Sequence, residues 1–229
     1  MQAFLQVHTA LRLCLETHQQ VCIESGLHNK TTHYKEVDSN HYKQIYEDIN
    51  NNITYLYSYY SDLITIIESK IFPSPSEYLL SRNISKIYAA LSFSKTEIEK
   101  WYEIVKDKKK DRFVVVHNNL DLNHFLRNKN SYLISWDKAK IDKPIFDLYK
   151  LYKRHFNDFD FIEILNKYER NYPLLEEEKI LLFVLISLPD KIILNDSEYN
   201  MCLKVKKFYD KLNACEIVIS DYLQKEKIS

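Results

Sequence analysis

Glycine is almost absent from this sequence. The 229 residues include a single glycine, Gly26. Loops that wrap the phosphates of a nucleotide need several glycines, because their backbone N–H groups approach the anion closely and some of their residues adopt positive φ angles. The glycine-rich patterns of dinucleotide-binding folds and of P-loop nucleotide hydrolases therefore cannot occur here. A nucleotide site in this chain has to be built without such a loop.

An excess of charge of either sign is missing as well. The 32 Lys and Arg residues balance 32 Asp and Glu residues. A balanced chain has no general electrostatic attraction to nucleic acid or to an anionic membrane, so we expect neither as a partner. The short basic run at 107–112, Asp-Lys-Lys-Lys-Asp-Arg, is interpreted as a solvated turn and not as a nucleic-acid patch.

Cysteines are few and apolar runs are short. The cysteines are Cys14, Cys22, Cys202 and Cys215. Their spacing matches neither a CxxC motif nor a disulfide framework, which predicts reduced thiols in a cytoplasmic protein. Cys14, His18 and Cys22 share one helical face, but an ordinary helix surface is favoured over a soft-metal site. The N-terminus lacks a signal-peptide pattern, and the most apolar run, 180–188, is too short to span a bilayer.

Two long helices are the clearest structural feature of the pattern. Apolar residues at steps of three and four predict an amphipathic helix over about 41–70. Its apolar stripe consists of Tyr46, Ile49, Ile53, Leu56, Tyr60, Leu63 and Ile67. Ser74, Pro75 and Glu77 have the spacing of a capping box and predict a second helix over about 75–105. We expect the two helices to pack antiparallel through the stripe.

The remaining pattern predicts a mainly α fold with a small β-hairpin. The first helix is expected over 2–27, with Gly26 as its C-terminal cap. Two β-type runs, 113–116 and 131–136, flank a polar loop at 117–124 and are expected to form the hairpin. Further helices are expected over about 144–155, 159–170, 175–188 and 197–220. Helices around one small hairpin are typical of an α-rich architecture and not of a doubly wound sheet.

The segment 114–147 carries a family resemblance. It reads VVVHNNLDLNHFLRNKNSYLISWDKAKIDKPIFD. This resembles the catalytic core of aminoglycoside phosphotransferases, choline kinases and their relatives, including bacterial spore-coat kinase-like proteins. In that family a strand leads into H-G-D-x-x-x-x-N, then a hairpin ending in I-D-W/F-E, then D-P-x-x-D-L. The surrounding helices, with Leu27-His28 before the long hairpin, fit the same family's C-terminal lobe.

The resemblance implies one protein-kinase-like C-terminal lobe spanning residues 1–229. Its expected segments are an N-terminal helix and connector at 1–36, a helical hairpin at 37–106, a degenerate catalytic-loop β-hairpin at 107–143 and C-terminal helices at 144–229. The family's N-terminal lobe, a β-sheet with a phosphate-contacting lysine, has no counterpart, because only about one helix precedes Leu27-His28. We therefore expect this lobe to be absent.

The family's catalytic positions are altered in this sequence. The family's first aspartate accepts the proton of the substrate hydroxyl, and a later asparagine and aspartate hold Mg²⁺ against the phosphates of ATP. Asn119 stands at the first of these positions and is neutral, so it cannot act as a carboxylate base. His124 and Ser135 replace the two metal ligands, and Asn118 replaces a glycine. ATP and Mg²⁺, the family's cofactors, are therefore not expected to bind.

The positions that hold the fold together are kept. His117 matches the loop histidine, for which a structural role is favoured over a catalytic one, and Trp136, Pro144 and Asp147 match later motif positions. Asp121, His124 and Asp137 are candidates for a displaced metal site, although loop and turn roles are favoured for them.

Because the catalytic positions are altered and the structural positions are kept, the sequence predicts a pseudokinase that acts as a binding or scaffold protein. Its expected partner is another protein or a second copy, held at the surface that the missing lobe would cover. One alternative is a phosphotransferase for an amino-alcohol or an aminoglycoside-like molecule that uses displaced residues or is completed by another chain. The other alternative is an inert C-terminal fragment of a longer kinase-like protein.

Overall fold

The fold is mainly helical with small antiparallel sheets. The computed structural model describes residues 2–127 and 131–226, without the side chains of residues 2–16, 39, 122, 127, 225 and 226. The helices are α1 Gln2–Thr31, α2 Ser39–Glu68, α3 Pro75–Arg82, α4 Ile84–Val105, α5 Ile145–His155, α6 Phe161–Asn171, α7 Glu176–Ser187 and α8 Glu198–Glu226. The strands are β1 His33–Glu36, β2 Lys110–Val116, β3 Phe125–Arg127, β4 Ser131–Leu133 and β5 Lys140–Asp142. Within the described part of the chain, no helix combines the length and the apolar character needed to cross a membrane.

The chain folds into two compact units, and the division falls within α7. The first, called the sheet unit, contains α1, the five strands, α5, α6 and α7 as far as Leu182. The second, called the helical unit, contains α2, α3, α4 and residues Phe183–Leu223. The candidate site lies entirely in the sheet unit.

Strand β2 is the centre of the sheet unit. It pairs antiparallel with β1 through its first half and with β5 through its second half. Val114 and Val116 on this strand are fully buried, as expected for β-branched residues in a central strand. A separate two-stranded ribbon is formed by β3 and β4, with Phe125 opposite Leu133. The loop that follows β2 therefore begins, at His117, directly at the end of a buried strand.

The predicted hairpin between the runs 113–116 and 131–136 is wrong. The first run lies in β2 and pairs with β1 and β5, whereas the second lies in β4 and pairs with β3. The partner strands contain only three or four residues each. Segments this short show no reliable alternation of apolar and polar residues, so their sequences gave no indication of the pairing.

The predicted end of the first helix at Gly26 is also wrong. Helix α1 continues to Thr31, and Gly26 lies inside it without a positive φ angle. A glycine in a helix interior costs about 1 kcal/mol relative to alanine, which tertiary contacts can offset. These contacts come from the last turn, where His28 is fully buried and the hydroxyl of Thr31 accepts a hydrogen bond from the backbone N–H of Val115 at 3.1 Å.

The helical unit contains the predicted antiparallel pair. Three ring contacts join α2 to α4, namely Tyr42 with Trp101, Tyr46 with Tyr102 and Tyr57 with Tyr88. Tyr42 and Tyr46, in the first part of α2, contact residues near the end of α4, whereas Tyr57 contacts Tyr88 near the start of α4, so the two helices run in opposite directions. In the predicted stripe, Ile53, Leu56, Tyr60 and Ile67 are buried. The periodicity thus identified the correct face of α2.

The capping box forms as predicted, but the helix that it starts is shorter than expected. The hydroxyl of Ser74 accepts a hydrogen bond from the N–H of Glu77 at 3.4 Å, and the Glu77 carboxylate accepts one from the N–H of Ser74 at 2.9 Å. The predicted helix over 75–105 is divided at Asn83, whose backbone has φ −113° and ψ 14°. The Asn83 amide donates to the carbonyl of Leu79 at 3.1 Å, a local hydrogen bond that competes with helix continuation.

Candidate functional site

The loop 117–121 is anchored by a buried carboxylate from α5. Asp147 lies in the first turn of that helix and is fully buried. Its Oδ2 accepts a hydrogen bond from the N–H of His117 and its Oδ1 accepts one from the N–H of Asn118, both at 2.7 Å. Pro144, which precedes the helix, has φ −58° and is buried. The start of α5 therefore fixes the entry of the loop.

Asp147 also belongs to a buried cluster with residues of α1 and α6. The Nε2 of His28 lies 3.4 Å from Oδ2 of Asp147 and 3.1 Å from Oε1 of Glu24. The Nδ1 of His28 is hydrogen-bonded to the hydroxyl of Tyr168 at 2.6 Å. All four side chains are almost completely buried. Among the described residues, Glu24, His28 and Asp147 are the group of His, Cys, Asp and Glu side chains whose ligand atoms are close enough to share a metal ion.

Proton sharing keeps this buried cluster electrically neutral. Burial raises the pKa of Glu24 to about 8. For His28, burial alone would lower the pKa, but contacts with Asp147 and Glu24 outweigh it and raise the pKa to about 9. For Asp147, the effect of burial is outweighed by His28 and by Glu24, so its pKa is lowered. At neutral pH a protonated Glu24 and a cationic His28 therefore surround an ionised Asp147, and no buried charge is left unpaired.

One polar face of α1 contacts both the loop and the central strand. Gln20, Glu24, His28 and Thr31 recur at steps of four, four and three along the helix. The amide of Gln20 donates to the carbonyl of Asp121 at 3.1 Å. Of these four residues, only His28 was predicted from the sequence. The helical spacing of these polar residues was a signal that could have identified Gln20 and Glu24.

Asn119, predicted to stand at the position of the family's catalytic base, accepts hydrogen bonds at both its backbone and its side-chain oxygen. Its backbone carbonyl accepts a hydrogen bond from Nδ1 of His124 at 2.8 Å. Its side-chain Oδ1 accepts one from Nη2 of Arg154 at 2.9 Å. The backbone carbonyl of His124 in turn accepts from the N–H of Ile134 at 3.0 Å. His124 and Arg154 therefore hold Asn119 in place.

His117 braces the loop from inside. It is fully buried, and its Nε2–H donates to the carbonyl of Ile134 at 2.8 Å. The edge of Trp136 meets its ring at a centroid distance of 4.5 Å. The indole N–H of Trp136 donates to the carbonyl of Leu133 at 2.8 Å. His117 and Trp136 thus link the loop 117–121 to the end of β4.

Two motif positions have left-handed backbone conformations. Asn118 has φ 60° and Ser135 has φ 67°, and they are the positive-φ residues other than glycine among those described. The left-handed region costs an L-residue roughly 1–2 kcal/mol. By the resemblance, Asn118 stands where the family has a glycine, which adopts this conformation without that cost, and Ser135 stands where the family has a metal-binding aspartate.

Two basic residues of α5 contact the loop, and neither was predicted from the sequence to belong to the site. The Nζ of Lys150 donates to the backbone carbonyl of Asn118 at 2.9 Å and also contacts its side-chain Oδ1. The Nη1 of Arg154 donates to the carbonyl of Leu120 at 2.7 Å. Because Asp147, Lys150 and Arg154 lie three and four residues apart, they share one face of α5. This spacing can be seen in the sequence, but the sequence does not show that these residues contact the loop 117–121.

The carboxylates proposed for a displaced metal site lie in different surroundings. Asp121 has one oxygen 3.7 Å from Nη1 of Arg154 and 3.7 Å from Nε2 of His155. Burial alone would raise the pKa of Asp121, but the N–H of Asn123 and the nearby cations outweigh it and lower the pKa. Asp137 is exposed in the turn Trp136–Lys138. Within the described part of the chain, Asp121, His124 and Asp137 do not form a group with ligand atoms in mutual reach.

The cysteines offer no assembled site in the described part of the chain. Cys22, Cys202 and Cys215 are free thiols, and the side chain of Cys14 lies outside the described residues. His18, the third member of the sequence trio, has its Nε2 3.4 Å from a carboxylate oxygen of Glu163 on α6. The face of α1 that carries His18 therefore has a contact with α6.

The comparisons with known proteins show which fold the chain resembles but do not assign it to a family. No protein-family model matches the sequence, and no curated protein matches it. Among solved structures, the chain is similar to the crystal structure of an aminoglycoside phosphotransferase from Alicyclobacillus acidocaldarius, with a TM-score of 0.66 and 9% sequence identity. The match covers 93% of this chain and 67% of that chain. The chain therefore has a kinase-like fold at the coarse level, as the sequence resemblance implied.

Proposed function

We propose that this chain is a pseudokinase of the aminoglycoside-phosphotransferase type, a protein of kinase-like fold that binds a partner and transfers no phosphoryl group. The observation that carries the proposal is the hydrogen bonding of the neutral Asn119 side chain. This neutral amide stands at the base position, and its oxygen accepts a hydrogen bond from Arg154 at 2.9 Å. An amide in this arrangement cannot take a proton from a substrate hydroxyl.

Loss of the metal ligands supports the same function. His124 stands at one ligand position, and its Nδ1 is bound to the carbonyl of Asn119. Ser135 stands at the other and has no carboxylate. Phosphoryl transfer depends almost entirely on positioning and on neutralising the charge of the phosphates, which kinases achieve with Mg²⁺. A chain without these ligands lacks the main source of that stabilisation, so ATP with Mg²⁺ is not expected to serve it as a cofactor.

A phosphotransferase that uses displaced residues is the second candidate, because Asp121 lies on the same loop. Its carboxylate is close to Arg154 and His155, and its pKa is lowered. A lowered pKa makes a carboxylate a weaker base, so Asp121 would be less effective than the usual aspartate in deprotonating an alcohol. The pseudokinase is therefore favoured over an amino-alcohol or aminoglycoside kinase.

A binding function needs a contact surface, and the sheet unit has candidate apolar side chains. The exposed ones on β3, β4, β5 and the adjoining turn are Leu126, Tyr132, Ile134, Trp136 and Ile141. Large apolar residues concentrated in one part of a surface are typical of protein contacts. The surface that the missing lobe would cover is also expected to include residues 1–27, of which the side chains of residues 1–16 lie outside the described ones. We propose that a protein partner or a second copy binds here.

Titration calorimetry with Mg²⁺–ATP, combined with a phosphate-release assay over amino-alcohols and aminoglycosides, tests the absence of catalysis. We expect neither Mg²⁺-dependent nucleotide binding nor turnover. Turnover that is abolished by Asp121→Ala or by Asp137→Ala would establish the displaced-site enzyme instead. Asp107→Ala, which removes an exposed aspartate outside the motif region, is the control and should leave any turnover unchanged.

A further inference from the structure

Two cations lie beside the loop 117–121, where the resemblance predicts that the family's catalytic carboxylates have been lost. Lys150 and Arg154 lie one helical turn apart on α5, and both donate hydrogen bonds to acceptors of the loop. An active kinase has an aspartate at the position of Asn119 and another at that of Ser135. Neutral side chains in place of two anions make the surroundings of these two cations more positive than in an active kinase, with Asp121 as the remaining carboxylate of the loop. A more positive site favours anions over the divalent cation that a kinase needs.

The two cations are only weakly neutralised by the rest of the protein. In the described part of the chain, Lys150 has no carboxylate oxygen within ion-pair distance, and its contacts are to oxygen atoms of Asn118. Arg154 has Asp121 as its carboxylate neighbour at 3.7 Å, which is too long for a direct hydrogen bond. Burial lowers the pKa of Lys150; the charges of Asp147 and Asp142 oppose this effect, while those of Lys140 and Arg154 add to it.

Unused hydrogen-bond donors remain at the same place. The ammonium of Lys150 has three N–H donors and contacts two acceptors, and the guanidinium of Arg154 has five donors and two hydrogen bonds to the loop. The oxygen of Asn119 is bound to Arg154, and its amide NH₂ has no hydrogen-bond partner among the described residues. Because phosphate oxygens form stronger hydrogen bonds to cations than neutral carbonyls do, an incoming phosphate can compete for these donors.

We infer that Lys150, Arg154 and the amide of Asn119 form a binding site for a phosphate-bearing small molecule that requires no metal ion. The inference rests on the proposed function, because it requires the loss of the catalytic carboxylates. In this site the two side-chain cations take over the neutralising role that Mg²⁺ has in an active kinase. The ligand is retained and not cleaved, since no base stands beside it.

Calorimetric titration of pyrophosphate, tripolyphosphate and ATP in the presence of EDTA tests the site. We expect binding with a dissociation constant below about 1 mM, weakened when the salt concentration is raised from about 0.05 M to about 0.5 M. Equal affinity for tripolyphosphate and ATP would identify the phosphate chain as the bound group. A higher affinity for ATP would show that the adenosine part of the ligand contacts the protein as well. Lys150→Ala and Arg154→Ala should each weaken binding about tenfold or more. Lys153→Ala, an exposed lysine of the same helix, is the matched control and should bind like the parent.

Asn119→Asp is a second variant that leaves both cations and the loop contacts in place. It restores a carboxylate of nearly the same shape, so metal-free binding should weaken by a similar factor while the melting temperature changes little. The inference is overturned if no anion binds, if Mg²⁺ is required, or if the Lys150, Arg154 and Asn119 variants bind like the parent. Absence of both binding and turnover overturns the inference alone, whereas Mg²⁺-dependent turnover overturns the proposed function with it.

Discussion

Glu24 illustrates how a single buried acid can set the pH dependence of stability. Its folded pKa of about 8 lies above the ordinary value of 4.5, and the pKa of His28 is raised from 6.5 to about 9. Both groups hold their protons more tightly in the folded chain. Their contributions are complete below pH 4.5 for Glu24 and below pH 6.5 for His28, and are lost as the pH rises through about 8 and 9.

We therefore predict that the free energy of unfolding falls as the pH is raised from neutral to about 9.5, and that Glu24→Gln reduces this fall. Glutamine keeps the shape of the protonated acid and has no proton to lose. Urea denaturation at a series of pH values measures the effect. Glu163→Gln, which changes an exposed carboxylate on α6, is the control and should follow the parent. Parallel pH profiles for the parent and Glu24→Gln would show that Glu24 is ionised throughout.

At the scale of single residues, the sequence proposes motif positions but not contacts. The resemblance assigns Asn119, His124 and Ser135 to the family's functional positions, and this assignment stays a prediction. The contacts made by Arg154 could not be predicted, because they join segments of the chain 34 and 35 residues apart. Which residues come close after folding depends on tertiary packing, and a local pattern does not contain that information.

The turn at Ser135 has a costly backbone conformation that a substitution can relieve. Ser135 has φ 67°, and its side chain forms no capping hydrogen bond. We predict that Ser135→Gly stabilises the chain by about 0.5–1 kcal/mol, because glycine adopts this conformation without the steric cost of a Cβ. Ser135→Val should destabilise it, since a β-branched residue fits this region poorly. Chemical denaturation checks both variants, and a loss of stability in the glycine variant would contradict the steric explanation.

Helix α2 allows a test of element packing with a matched control. Ile53 on α2 is 4% exposed, whereas Ile66 on the same helix is 58% exposed. Ile53→Asp should destabilise the chain by about 3 kcal/mol or more, because it buries an unpaired charge, whereas Ile66→Asp should change stability by less than about 0.5 kcal/mol. Thermal denaturation of the two variants gives the comparison. Similar melting temperatures for both would mean that the stripe is not buried.

The elements that were predictable are those with local signals. The stripe of α2 and the capping box before α3 follow from spacing alone, and both are present. Strands β1, β3 and β5 were missed because three or four residues show no usable period, and each strand is stabilised by a partner that comes later or earlier in the chain. The continuation of α1 past Gly26 has the same explanation, since contacts of its last turn outweigh glycine's low helix propensity.

At the scale of the whole molecule, a motif of about 35 residues predicted a fold that overall sequence identity does not reveal. The structural match to an aminoglycoside phosphotransferase has 9% identity and covers 93% of this chain. The order and spacing of His117, Trp136, Pro144 and Asp147 were sufficient because those residues anchor the loop and the start of α5. The interpretation as a single domain that lacks an N-terminal lobe stays a prediction.

The exposed apolar side chains of the sheet unit predict that the chain associates with itself. Leu126 and Ile141, on strands of the sheet unit, are 51% and 62% exposed, and an apolar surface of this kind favours contact with another protein surface. We expect the purified chain to sediment faster as its concentration is raised, and the double variant Leu126→Lys, Ile141→Lys to remain monomeric. Phe72→Lys, at a 90% exposed position in the helical unit, is the control and should associate like the parent. Association that persists unchanged in the double variant would place the contact elsewhere, whereas a parent that stays monomeric at all concentrations would leave a different protein as the expected partner.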